Sequence, residues 1–292
     1  MMQRRRSLTT VPEAPRAPAP FPAARCTGCA LRGAELCRAI SRGSAPSPCP
    51  PPLRRYEKGK LILESGTSSS FFGVSRSGYA RFSRMRLNGK RVLFSLAVPG
   101  DAVGGLPDQP LPYDLEAATD LEICTYEPGI VQWHLMSNRR FRQRFLQEID
   151  RQHHLLLESV WRYGALNSQE RIIAFIVAMT DLMPTEDLPD GSVVLKMKIG
   201  RRDWADLTNT AVETISRTLR HLEKMGLLTS ISPHAFRLHD PERLAGLAGI
   251  RPPRRQVRDR ARPAKDECRR DLPKTHRRMT GVNAPRMPEN NF

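Results

Sequence analysis

No stretch of this chain is apolar enough to cross a membrane. A spanning helix needs about 18 apolar residues in succession, and the longest run here, Ile172 to Met179, has eight. Met1–Arg6 is basic, but no apolar segment follows it, so the start does not read as a secretory signal, an Arg-rich transit peptide being the alternative. No nucleophile–base pair and no phosphate-cradling loop stands out, so nothing points to an enzyme. Cysteine is sparse, with six in 292 residues. In a large chain expected to stay in the cytoplasm, so few thiols point to metal or redox chemistry before disulfides.

Positive charge is abundant. Forty-seven Lys and Arg against 30 Asp and Glu leave a net charge of +17, which favours nucleic acid or another anionic surface as partner. Residues 251–292 hold 13 basic and 5 acidic side chains, a surplus of +8 in one tail. A basic RNA- or membrane-associated protein driven by that tail is therefore a rival reading.

Residues 1–25 are rich in Pro, Ala and Arg and lack periodicity, the signature of a disordered arm. Cys26-Thr-Gly-Cys29, Cys37 and Cys49 follow. Thiolates at such spacing suit an iron–sulfur cluster or a zinc knuckle, and a set of unliganded thiols is the plain alternative. Cys49 sits in Pro-Ser-Pro-Cys-Pro-Pro-Pro, a stiff segment that makes a poor ligand loop and reads as a linker ending near Leu53. From Tyr56 to about Pro128 short strands alternate with turn signals, Asn88-Gly89 being the strongest, which predicts a small antiparallel barrel or roll. In its last strand Leu121, Ile123 and Thr125 face one way, and Glu122, Cys124 and Tyr126 the other.

Residues 137–163 predict one long helix, with Ser137 or Asn138 as its cap. Leu146, Ile149, His153, Leu156, Val160 and Tyr163 fall on alternating a and d positions of a heptad, which predicts a dimer seam, packing against the roll being the bland alternative. A buried helix opens at Ser168, and Val193–Met197 is a strand. Arg202–Leu207 is a short helix, and Asn209 suits a left-handed turn before Thr210–Met225. In that last helix Ile215, Leu219 and Leu222 share one face, and Glu213, Ser216, Arg217 and Arg220 share another. A guanidinium fork can bond guanine O6 and N7, and a carboxylate can accept from cytosine N4, so this second face suits base reading in a helix-turn-helix. A solvated surface helix is the bland alternative. Leu227–Ile231 and Phe236–His239 predict a two-stranded wing, and Asp240-Pro241 starts a short last helix.

The order of roll, long helix and winged helix-turn-helix resembles the Crp–Fnr family of transcription regulators. The residues that carry the resemblance are Gly59 with Leu61 and Gly66, Arg76-Ser-Gly78, Pro99-Gly-Asp101, Glu170-Arg-Ile-Ile-Ala-Phe175 and Val212-Glu-Thr-Ile-Ser-Arg217. The last motif is similar to the Fnr branch. The resemblance implies an α+β chain: a β-roll like the cyclic-nucleotide-binding jelly roll, a dimerisation helix and a winged helix-turn-helix. The expected divisions are a disordered arm (1–25), a cysteine-rich arm and linker (26–54), the roll (55–133), the dimerisation helix (134–166), the DNA-binding domain (167–250) and a basic tail (251–292).

What the resemblance implies for function is specific. Glu213, Ser216 and Arg217 are assigned to base reading, with Val212 beside them where cyclic-AMP-receptor members carry an Arg. The expected target is double-stranded DNA with TTGAT half-sites in a TTGAT-N4-ATCAA palindrome. The expected partners are a second copy of the chain, through Leu146, Ile149, His153, Leu156 and Val160, and RNA polymerase. Gly104–Tyr113 lacks the Arg-Ser pair that grips a cyclic phosphate, so no cyclic nucleotide is expected. Fnr-type members hold a 4Fe–4S cluster on three amino-terminal cysteines and one from the roll, here Cys26, Cys29, Cys37 and Cys124; Cys49 and Cys268 match nothing. Seven residues separate Cys29 from Cys37, where the best-known member has five. The acidic residue that weakens the cluster-free dimer in the family corresponds to Leu156, and the family's helix-capping Ser/Thr to Ala211. The expectation is an oxygen-responsive regulator; a regulator with a zinc or thiol-redox cysteine site is the alternative.

Overall fold

The structure is a computed structural model. It describes residues 51–106 and 109–251, together with Cys29, Leu31, Leu36, Cys37 and Ala39 ahead of them.

Two four-stranded antiparallel sheets make the amino-terminal domain. In the first, β1 (Leu53–Tyr56), β8 (Leu121–Tyr126), β3 (Phe72–Ser77) and β6 (Ala102–Gly104) are neighbours in that order. In the second, β2 (Leu61–Leu63), β7 (Asp114–Ala117), β4 (Ala80–Met85) and β5 (Arg91–Ala97) are. Alternation along the strands turns Leu63, Phe71, Ala80, Ala97, Leu115, Leu121 and Ile123 into one apolar core. Burying a Leu, Ile or Phe side chain is worth roughly 1.5–3 kcal/mol. Gly78 makes the turn from β3 to β4 at φ 83°, and a Cβ there would stand 2.1 Å from the Asp120 carbonyl oxygen. Only glycine fits that turn.

The outer face of the first sheet is covered as well. Pro128–Ser137 forms α1, a separate helix that starts on a proline, as its pre-set φ favours. Asn138 accepts from the Phe141 amide at 3.0 Å and caps α2, Arg139–Ala165. The long helix thus begins after Asn138, and Ser137 instead donates to the Trp133 carbonyl. Phe141 and Phe145 of α2 and Val131 of α1 pack on Phe72, Val74 and Tyr126.

The carboxy-terminal domain begins with α3 (Ser168–Leu182), closed by a reciprocal capping box between Asn167 and Glu170. There follow β9 (Thr185–Asp187), β10 (Val193–Lys196), α4 (Arg201–Thr208), α5 (Val212–Lys224), β11 (Leu228–Ser232), β12 (Ala235–Leu238) and α6 (Pro241–Leu247). The wing is larger than the sequence reading: β11 and β12 continue into β10 and β9 as one four-stranded sheet. Asp240 caps α6 by accepting from the Arg243 amide at 2.9 Å. Trp204 is fully buried between Phe175 and Phe236, with ring centroids 5.6 and 5.9 Å away. The apolar cluster around it extends into the roll through Tyr79, Val98 and Ala118. The α+β architecture expected from the sequence is the one present.

Candidate nucleic-acid interface and cysteine arm

The helix-turn-helix is α4 and α5. Asn209 joins them at φ 48° and ψ 52°, the single positive-φ residue other than glycine among the described residues. Asparagine tolerates that conformation, and the sharp turn brings α5 across α4. Thr208 and Thr210 pair their hydroxyls at 2.8 Å. Thr210 is therefore turned into the α4–α5 junction and does not cap α5. The N-cap is Ala211, which has no side-chain acceptor.

Thr210 and Glu213 have the Ser/Thr-x-x-Glu spacing of a capping box, but with Thr210 turned into the junction Glu213 faces solvent. Val212, Glu213, Ser216, Arg217 and Arg220 are all exposed, while Ile215, Thr218, Leu219 and Leu222 are buried. Ser216 donates back to the Val212 carbonyl at 3.1 Å, and Arg220 to the Ser216 carbonyl at 3.2 Å. One face of α5 thus presents a carboxylate, a hydroxyl and guanidinium groups to solvent, held by a buried face opposite.

Side-chain contacts from α3 and from the roll secure this helix-turn-helix. Arg171 of α3 donates to the Thr208 carbonyl at 3.0 Å and the Leu166 carbonyl at 2.8 Å, tying the end of α4 to the start of α3. Asp203 of α4 is buried against Arg81 of the roll, at 2.6 Å. The Arg171–Thr208 and Arg81–Asp203 contacts join residues 37 and 122 positions apart, so neither has a local sequence signal.

Two of the cysteines, Cys37 and Cys124, lie at the first sheet. Cys124 lies directly opposite Val74 in the β8–β3 register. Paired residues of neighbouring strands point to the same face, so Cys124 shares the outer face with Val74, Phe72 and Tyr126. Leu36 and Ala39 are buried against that same cluster, and Cys37 packs on it. The Asn138 amide donates to the Ala39 carbonyl at 3.4 Å. Cys29, Cys37 and Cys124 are half-buried. Cys26, Cys49 and Cys268 lie outside the described residues. Among the described residues no three His, Cys, Asp or Glu side chains are grouped closely enough to hold a metal ion.

The arm also reaches the long helix. Leu31 lies beside Gly100, with its Cδ2 3.6 Å from where a Cβ would be. The next residue, Asp101, accepts from Arg151 of α2 at 2.6 Å, and Arg151 is also held by Glu148 at 2.7 Å. Gln152 donates to the Ala102 carbonyl at 3.0 Å. His134, below the arm, is completely buried between Trp133 and Phe141, and burial lowers its pKa from 6.5.

On α2 the heptad residues Leu146, Ile149, His153, Leu156 and Val160 are all exposed in the single chain. Val160 is 68% exposed and Leu146 60%, while Phe141 and Phe145 bury the opposite edge against the roll. No helix among the described residues is long and apolar enough to cross a membrane.

Residues 170–247 match the Crp-like helix-turn-helix domain. The chain is 26% identical over 227 residues to the transcriptional activatory protein AadR of Rhodopseudomonas palustris, spanning 77% of this chain and 93% of that protein. It is 26% identical over 213 residues to the transcriptional activator protein FnrL of Cereibacter sphaeroides, spanning 70% and 84%. Among solved structures, FixK2 from Bradyrhizobium japonicum matches with a TM-score of 0.62 at 19% identity, over 68% of this chain and 96% of that one. The carboxy-terminal domain is a Crp-like helix-turn-helix domain, carried on the fold of the CRP/FNR transcription regulators.

Proposed function

We propose that this CRP/FNR-type regulator is an oxygen-responsive transcription factor. It binds a TTGAT-N4-ATCAA-type palindrome as a homodimer and recruits RNA polymerase there. Its DNA affinity follows a 4Fe–4S cluster on Cys26, Cys29, Cys37 and Cys124. The observation that carries this reading is the sharing of one sheet face by Cys37 and Cys124, 87 positions apart in the sequence. Soft thiolates drawn together from two distant segments suit iron–sulfur ligation. The names of the relatives AadR and FnrL, both transcriptional activators, support the regulatory part.

Bound by these thiols, the cluster supplies oxygen-reactive iron and a tie between arm and roll. The rest belongs to the protein. Leu36 and Ala39 are the apolar anchors of the arm on the sheet. Leu31, Gly100, Asp101 and Arg151 carry its position to α2. An arm held in place favours one setting of α2, and an arm released does not, which is a shift between populations rather than a new structure. The apolar stripe of α2 pairs two chains, and each α5 then offers Glu213, Ser216 and Arg217 to one half-site.

Anaerobic purification followed by iron, acid-labile sulfide and zinc analysis tests the reading. Four iron and four sulfide per chain, lost in air together with palindrome binding, is the expected result. A colourless protein that holds zinc, or no metal, and still binds the palindrome overturns the cluster.

A further inference from the structure

We propose that Arg81, Asp203, Glu116 and Arg91 form a latch that docks the helix-turn-helix domain on the roll, and that Asp203 and Arg81 are positioning residues for DNA binding. The DNA arm of its test rests on the dimeric reading above; the melting arm does not.

The four side chains come from four elements. Arg81 is on β4, Arg91 on β5 and Glu116 on β7, all on the second sheet of the roll, whereas Asp203 is in the first turn of α4. Glu116 stands directly opposite Arg81 in the β4–β7 register. Arg81 uses its two Nη groups separately: Nη1 donates to Asp203 Oδ1 at 2.6 Å, and Nη2 to Glu116 Oε1. Arg91 donates to Glu116 Oε2 at 2.6 Å and comes within 3.8 Å of Asp203 Oδ1. Two acids and two bases alternate, so the set is neutral. It is also shielded, with the Arg81 side chain 11% and that of Asp203 8% exposed. Burial opposes the charge on Arg81, but Glu116 and Asp203 outweigh it and hold the guanidinium firmly protonated.

The apolar part of the same interface does not fix an angle. Tyr79, Val98 and Ala118 join the carboxy-terminal core, yet a cavity of about 670 Å³ remains between β5, α2 and α3, lined by Phe94, Leu96, Leu155, Arg162 and Phe175. Apolar contact is non-directional. A guanidinium fork that spans two carboxylates is directional. The network therefore sets the register of α4 on the roll. Asn209 and the Thr208–Thr210 pair pass that register to α5.

The latch lies away from the DNA-reading face, since Glu213, Ser216 and Arg217 remain exposed while Asp203 is buried. It acts on aim and not on access. Two reading helices must enter major grooves about 34 Å apart. A domain that swings still binds one half-site but loses the gain from engaging both at once.

The test uses full-length protein purified anaerobically, as wild type, Asp203→Asn and Arg81→Met. Affinity for the full palindrome and for a DNA with one half-site is measured in the same salt, and each protein is melted in a calorimeter. Both variants are expected to lose roughly ten- to a hundredfold on the palindrome, an ordinary size for coupling between sites, with half-site affinity unchanged. The wild type is expected to melt its roll and helix-turn-helix together, and the variants in two steps. Arg81→Met keeps the proposal falsifiable should Asp203→Asn fail to fold, because α4 then retains its own sequence. Parallel loss on both DNAs, no loss on either, or identical melting overturns the latch. A wild type that ignores the palindrome sinks the functional reading instead, and the melting comparison alone then decides the latch.

Discussion

Cys124 and Val74 stand opposite each other across β8 and β3 and point to the face on which Leu36, Cys37 and Ala39 rest. This pairing makes the roll cysteine separable from the proline-flanked one. Cys124→Ser is expected to abolish bound iron while the far-ultraviolet circular dichroism stays native, because the side chain is half-buried and off the inner core. Cys49→Ser is expected to keep its iron. Iron analysis of both variants under nitrogen is the check; equal iron in the two rejects Cys124 as a ligand.

Arg217 is exposed on α5 beside Glu213 and Ser216. Arg217→Ala is expected to cost about 1–3 kcal/mol of discrimination at the guanine of the half-site, with thermal stability unchanged. Competition binding against DNA altered at that base pair measures it. Undiminished preference for the guanine would remove Arg217 from base reading.

Val160 is 68% exposed within the apolar stripe of α2. Val160→Glu is expected to weaken self-association by roughly 3 kcal/mol or more, since an unpaired carboxylate would enter the seam. Sedimentation equilibrium of wild type and variant tells the two apart. A variant that remains as dimeric as the wild type places the interface elsewhere.

His134 links stability to pH. Burial keeps its folded pKa below the ordinary 6.5. The unfolded chain takes up the proton first as pH falls. The stability that the neutral ring contributes is therefore complete above 6.5 and declines as pH drops from there toward the folded value. Melting temperatures are expected to fall through this window, and to fall less for His134→Leu. A variant as steep as the wild type assigns the effect to other groups.

Much of this was legible in the sequence, and the reasons are local. Asn209 announced its left-handed turn because few other residues accept positive φ. The apolar spacing of Ile215, Leu219 and Leu222 fixed which face of α5 is buried and so which is offered to DNA. Strand alternation put Cys124 on the opposite face from Ile123, and the register bears this out. The capping question at Thr210 was undecided by spacing, since Thr208 two residues earlier competes for its hydroxyl. The separate helix α1 and the edge strand β9 are short and carry weak periodicity. Nothing local marks Arg81 and Asp203, 122 positions apart, as a pair. Residues that meet only through the tertiary fold leave no pattern in the chain.

The exposed stripe on α2 has a consequence for gene dosage. On the dimer reading, Leu146, Ile149, Leu156 and Val160 find their cover only in a second copy. Below the dimer dissociation constant, mass action makes the dimer concentration rise with the square of the chain concentration. Halving the amount of protein then costs about a fourfold loss of the DNA-binding species. A cell could therefore silence weak promoters by a modest cut in synthesis, with the oxygen supply unchanged.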